Sequence, residues 1–151
     1  MPFSLFDHTG DIGVRVTART LDGLFRDAAA ALTDAITDPA RIEPRRSVSL
    51  ALESPALDLL LVDWLNEVLY RFEVGQFLVA AAQVHIDRRD LGDGRFDTAA
   101  AKAFALRATL AGERFDAHRH GVKVLIKAVT YHALDVREDG DGWHATVVFD
   151  I

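Results

Sequence analysis

Two spacings of apolar residues alternate along this chain of 151 residues and divide it into elements. Alternating apolar positions mark strands, whose successive side chains point to opposite faces, while three- and four-residue spacing marks one face of a helix. Phe3-Ser-Leu-Phe6 reads as a strand entering a polar turn, His8-Thr-Gly-Asp-Ile-Gly13. Val14, Val16 and Ala18 then alternate with Arg15, Thr17 and Arg19, as a half-buried strand requires. Thr20 can cap a helix from Leu21 to about Asp38, with a stripe of Leu21, Leu24, Phe25, Ala28, Leu32, Ala35 and Ile36. Asp38-Pro39 closes it, because a residue before proline avoids the helical region. Ser47 to Leu52 alternates again as a short strand. Ser54-Pro55 is expected to open a second helix with proline at its first position. Leu57, Leu60, Leu61, Trp64, Leu65, Val68, Leu69 and Phe72 make this helix the centre of the core, with Gly75 just past its end. Its polar residues Asp58, Asp63, Asn66 and Glu67 are expected to face solvent or a partner.

The second half of the chain is strand-rich. Gln76 to Asp87 places Phe77, Val79 and Ala81, then Val84 and Ile86, on alternate positions; the change of phase predicts a bulge. Arg88 to Asp97 is a polar loop whose acidic spacing lacks the pattern and final glutamate of a calcium-binding EF-hand. Lys102 to Leu110 is a strand with Phe104, Leu106, Ala108 and Leu110 inward. Gly112 to Gly121 is a turn-rich connector. Its His118 and His120 could clasp a metal, but no third ligand is fixed beside them, which leaves them as exposed loop histidines. Val122 to Arg137 continues as strand, and Asp139-Gly-Asp-Gly142 turns it back into Val147-Val-Phe-Asp-Ile151 as a hairpin. The order predicts an α+β fold: a mostly antiparallel sheet with two helices packed on one face, in a single domain over 1–151.

Composition narrows the function classes. Half of the residues are hydrophobic and about a quarter are charged, as in ordinary globular proteins. Lys and Arg number 17 against 23 Asp and Glu, a formal net charge of −6. Direct nucleic-acid binding is therefore not expected, because a phosphate backbone needs a basic face; the pairs Arg45-Arg46 and Arg88-Arg89 read as solvated loop residues. The longest apolar block, Leu59-Leu-Leu-Val62, is too short to cross a membrane. The N-terminus lacks the basic region and apolar run of a signal peptide, so a cytoplasmic location is expected.

There is no cysteine, so any metal must be held by oxygen or imidazole. No Gly-x-Ser-x-Gly elbow supports nucleophilic catalysis, and no phosphate-cradling glycine loop precedes a helix. The candidate constellation is electrostatic: His8, Asp11, Lys127, His132, Asp150 and the carboxylate of Ile151. Asp11 can be a ligand or simply a turn former bonding its own backbone. Asp150 beside the terminal carboxylate can mark an ion site or a frayed, solvated end.

Five blocks carry a further signal: His8-Thr-Gly-Asp-Ile-Gly13, Val62-Asp-Trp-Leu-Asn-Glu-Val-Leu-Tyr-Arg-Phe-Glu73, Gly112-Glu-Arg-Phe-Asp116, Ile126-Lys-Ala-Val-Thr-Tyr-His132 and Val148-Phe-Asp-Ile151. In this order, over the whole length, they resemble the archease family. The resemblance implies a small α+β protein that is not itself an enzyme but a protein cofactor of RtcB-type RNA ligase, which joins RNA ends in tRNA splicing and repair. It further implies that the protein promotes ligase guanylylation and multiple turnover and broadens nucleotide use. Carried over by motif, the metal-binding residues are Asp11, Asp150 and Ile151, and the functional lysine is Lys127. Such oxygen ligands suit a hard divalent ion: calcium, magnesium or manganese. Gly10 stands where the family commonly has alanine, which loosens the turn without touching a ligand. Two other readings are a stand-alone metal-dependent phosphohydrolase using Asp11, Asp150 and a histidine base, and a metal-independent chaperone or adaptor.

Overall fold

Fully buried Trp64 on the second helix donates its Nε1–H to the carbonyl of Phe25 on the first, at 2.8 Å, and the core is assembled around this contact. The structure is a computed structural model that describes residues 2–8, 10–88 and 103–151. Among these, the elements in chain order are β1 (Phe3–His8), β2 (Asp11–Ala18), α1 (Leu21–Ile36), β3 (Arg46–Ser54), α2 (Leu57–Glu73), β4 (Phe77–Arg88), β5 (Phe104–Arg114), β6 (Ala128–Asp139) and β7 (Gly142–Asp150). The α+β class holds. The strands form two antiparallel sheets, ordered β1-β2-β7-β6 and β3-β5-β4. α1 packs on β4 and β2, and α2 on β6, β3 and β4, so both helices bridge the two sheets and share one apolar core. No helix among the described residues is long and apolar enough to cross a membrane.

Local rules set most element ends. Thr20 caps α1, its hydroxyl accepting from the Gly23 N–H at 3.0 Å. The helix stops at Ile36, and Asp38 instead caps a short 3₁₀ turn, Pro39–Arg41, accepting from the Ala40 N–H at 3.1 Å. The opening of α2 differs from expectation. Ser54 ends β3, buried, and Ala56 occupies the cap position without a side-chain bond, so Pro55 lies ahead of the helix rather than at its first position. At the other end Gly75 follows the capping residue Val74, but Gln76 takes the left-handed conformation, with φ of 52°.

The predicted bulge lies between Val79 and Ala81 on β4. It brings Ala82, Val84 and Ile86 onto the core and turns Ala81 outward, reversing the assignment for that residue. The opposing strand meets the bulge with Gly112, where a Cβ would lie 1.8 Å from the Leu78 carbonyl oxygen; close backbone approach demands glycine there. β5 keeps the expected inward face, with Leu106, Ala108 and Leu110 buried, but it runs on to Arg114, so residues 112–114 belong to the strand and not to the connector. The strand expected from Val122 begins only at Ala128. The start of that segment is instead tied to the end of α1: the Lys123 N–H donates to the Ile36 carbonyl at 2.7 Å, its Nζ to the Asp34 carbonyl at 2.9 Å, and the Thr37 hydroxyl bonds Gly121 O. The acidic loop 90–97 lies outside the described residues.

Candidate functional site

Gly10, which adopts φ of 78°, directly precedes β2, and the pairing register fixes a row of four residues across one end of the larger sheet. His8 on β1 opposes Asp11 on β2; Asp11 opposes Asp150 on β7; Asp150 opposes Ala128 on β6. Directly opposed residues in an antiparallel pair have Cα atoms about 4.5–5.5 Å apart and share a face. Ile12, Val14 and Val16 turn into the core along β2, as do Ala145, Val147 and Phe149 along β7. Strand alternation therefore sends the Asp11 and Asp150 side chains to the opposite, outer face, where both are half-buried.

That outer face is partly covered. The ring of Phe6 sits over Gly13, where any Cβ would lie 2.2 Å from its tip, and the Arg15 guanidinium lies 4.0 Å from the ring centroid. Val148, beside Gly13 in the register, is fully buried although it is on the outer face. The acidic pair therefore borders a packed surface rather than a frayed edge.

Lys127 joins this end of the sheet. Its backbone N–H donates to the Asp150 carbonyl at 2.7 Å, and its side chain is exposed. Ile151 follows directly, partly exposed at 38%. The start of β6 is held by a residue whose role the sequence pattern did not indicate. The side-chain amide of Asn66 on α2 accepts from the Val129 N–H at 3.0 Å and donates to the Val129 carbonyl at 3.1 Å. β6 is an edge strand, and this two-way pairing supplies the bonds a further strand would have made. Asn66 is thus turned to the sheet and not to solvent. Asp63, one turn earlier, is exposed, and desolvation pushes its carboxyl above the ordinary range.

The structure does not bring every candidate together. His132 lies in a bulge between Thr130 and Asp135 in which β6 leaves the ladder and Ala133 takes φ of 54°; the histidine is exposed and outside the register of the acidic row. His8 has the right strand position, but its side chain lies outside what the structure describes. Among the described residues no three His, Asp or Glu side chains converge as a ready ligand set. The donors fit a hard cation all the same. Asp11 and Asp150 are directly opposed in the register, and like charges so placed repel, which a cation between them would relieve. A cation there would draw its remaining ligands from Ile151 main-chain oxygen, water or a partner.

A second polar cluster corrects the reading of the connector. His120 is buried, not an exposed loop histidine. Its Nδ1 accepts from the Asp116 N–H at 2.9 Å, so the proton sits on Nε2, which faces Glu113 at 3.1 Å. Glu113, also buried, receives the Arg119 fork at 2.7 and 2.8 Å and the Glu43 N–H at 2.7 Å. The Arg119 hydrogen bonds, then that of Glu43, hold its carboxyl down at about 2, and the same fork raises the Arg119 guanidinium. The rings of Phe72, Phe115 and His120 pack beside it, Phe72 edge-on to Phe115 and Phe115 tilted over His120, with successive centroids 5.9 Å apart. This cluster ties the connector to the end of α2. Its only signal in sequence was the block Gly112-Glu-Arg-Phe-Asp116, which gives no hint of which charges are buried.

Known proteins resemble this chain along nearly its whole length. The model of the archease protein family (MTH1598/TM1083) matches residues 3–151. A protein archease of Methanosarcina acetivorans is 34% identical over 149 residues, covering 99% of this chain and 95% of that protein. The solution structure of Methanobacterium thermoautotrophicum protein 1598 superposes with a TM-score of 0.77 at 25% identity, covering 99% of both chains. The crystal structure of an archease, possible chaperone, from Thermotoga maritima shares the fold, with a TM-score of 0.60 at 18% identity over 97% of this chain and 94% of that one. The motif blocks, the two-sheet fold and near-complete coverage thus converge, and the chain belongs to the archease family.

Proposed function

We propose that this chain is a cytoplasmic protein activator of an RtcB-type RNA ligase, promoting ligase guanylylation and multiple turnover through a divalent ion held by Asp11, Asp150 and main-chain oxygen of Ile151. Family membership supports the class of protein. The observation that carries the site is the direct cross-strand opposition of Asp11 and Asp150. Two half-buried carboxylates fixed by backbone register form a preset pair of oxygen ligands, and the absence of cysteine from the chain favours calcium, magnesium or manganese over softer ions.

Bound there, such an ion supplies positive charge that can stabilise phosphoryl oxygens. The chain's own residues do the placing. The β2–β7 ladder sets the spacing of the two aspartates, and the Lys127 N–H holds the Asp150 carbonyl, fixing where β7 ends. The exposed Lys127 ammonium adds a mobile cation at the same end of the sheet, suited to an anionic group on the partner. The ligase performs the chemistry in this reading, and this chain organises its nucleotide site.

The test is ligase guanylylation under multiple turnover, using the ligase of the same organism, with wild-type protein, Asp150→Ala and Lys127→Ala. Stimulation by wild type that either substitution abolishes is the expected result. No stimulation by folded wild type refutes the reading. Stimulation that survives both Asp11→Ala and Asp150→Ala would assign the chain to metal-independent adaptors, and phosphoester turnover by the isolated protein with manganese would make it a hydrolase.

A further inference from the structure

Away from the acidic row, the ends of β3 and β5 and the turn after α2 enclose an open cleft of about 590 Å³. Four arginines line it, Arg45, Arg46, Arg114 and Arg119, in a chain whose net charge is −6. Two of them are committed. Arg119 forks onto buried Glu113, and Arg45 lies 2.6 Å from Glu43 and 3.6 Å from Glu113. The other two meet no carboxylate among the described residues: Arg46 lies over the Phe77 ring at 5.6 Å, and Arg114 bonds the Gln76 amide oxygen at 3.2 Å. Both are exposed.

Register places these two guanidiniums together. Arg46 opposes Gly112, and Arg114 is two residues further along the same strand, on the same face. Such diagonal neighbours lie about 7–8 Å apart, well within the reach of two arginine side chains toward one ligand. Glu113, which lines the cleft with Asp116 and is itself held by His120, fixes the orientation of Arg119, so the rim is partly preorganised, and half-buried Phe115 forms an apolar wall.

We propose that this cleft binds a compact polyphosphate anion, pyrophosphate or the phosphate tail of a nucleotide, with Arg46 and Arg114 as its principal donors. A carboxylate is satisfied by one guanidinium fork, whereas a phosphate presents enough oxygens for two forks to share it. The size of the cleft is within the usual range for small-ligand sites, about 300–1,000 Å³. A long polyanion such as an RNA strand would meet the overall repulsion of a chain with a net charge of −6.

Calorimetric titration of the isolated protein with sodium pyrophosphate, with ATP in the absence of metal, and with a short single-stranded RNA lacking terminal phosphates tests this. Pyrophosphate and ATP should bind saturably, and the double variant Arg46→Gln/Arg114→Gln should weaken both at least about tenfold. Arg137→Gln removes the same kind of charge from β6, where that arginine pairs with Asp135, and should leave affinity unchanged. Binding of RNA alone, no saturable binding of pyrophosphate or ATP, or an equal loss in the Arg137 variant would each overturn the proposal. No ligase is present in the assay, so its outcome is independent of the proposed activation.

Discussion

Replacing Asn66 by alanine isolates the contact that holds the start of β6. The wild-type amide makes two bonds to Val129, at 3.0 and 3.1 Å, in a partly buried position. Each such bond contributes about 0.5–1.5 kcal/mol net, and the backbone groups left behind on an edge strand are only partly reached by water, so the loss is about 2–3 kcal/mol. Alanine is the better helix former by roughly 0.5 kcal/mol, which offsets part of it. The expected net cost is about 2 kcal/mol, or a fall in melting temperature of roughly 4–8 °C for a chain of this length. Urea unfolding followed by tryptophan fluorescence, with the m-value checked for constancy, measures the total. Hydrogen exchange locates it: the Lys127 and Val129 amides should lose protection while those of β2 keep it. Asn66→Asp provides a discriminating control. Its carboxylate can accept from the Val129 N–H but faces the Val129 carbonyl without a proton to donate, so it should improve relative to alanine only as the pH falls below about 4. A cost below about 0.5 kcal/mol for Asn66→Ala, with exchange at Lys127 and Val129 unchanged, would refute the assignment of Asn66 as the anchor of this strand.

Two further outcomes follow from the packing. Gly112→Ala drives a methyl group into the Leu78 carbonyl beside the bulge and should cost about 1–3 kcal/mol or more by urea unfolding; a neutral result would show that the two strands can separate there at little cost. Glu113 has its carboxyl lowered to about 2 in the folded protein from an ordinary 4.5, so the folded state binds fewer protons in that window. Its contribution to stability is complete above about pH 4.5 and is lost as the pH falls through about 2. Glu113→Gln should therefore be less stable than wild type at neutral pH, with the difference shrinking between these two values. Unfolding midpoints measured across that range would contradict the assignment if the two proteins ran parallel.

Where local chemistry was sufficient, the sequence alone specified the outcome. Alternation gave β2 and β5, Thr20 capped α1, the stripe around Trp64 formed the centre of the core, and the phase change in β4 was a bulge. The family resemblance of the motif blocks implied roles for Asp11, Lys127 and Asp150, residues near opposite ends of the chain. Their meeting was beyond any local rule. It depends on β7 pairing with β2 on one side and β6 on the other, and strand order is settled by which faces can be buried together. For the same reason one expected sheet is two: both helices are apolar enough to be covered on two sides. Asn66 and His120 looked like surface residues because a polar side chain in sequence does not reveal the partner that will satisfy it. Residues 122–127 looked like strand because their apolar content matches one, yet Lys123 bonds the end of α1 and Lys127 reaches the Asp150 carbonyl, contacts no local pattern reveals. The sequence determined the elements and the chemical inventory. Tertiary structure decided which charges are buried, which are opposed and which are left to meet a ligand, because those outcomes depend on contacts between residues far apart in the chain.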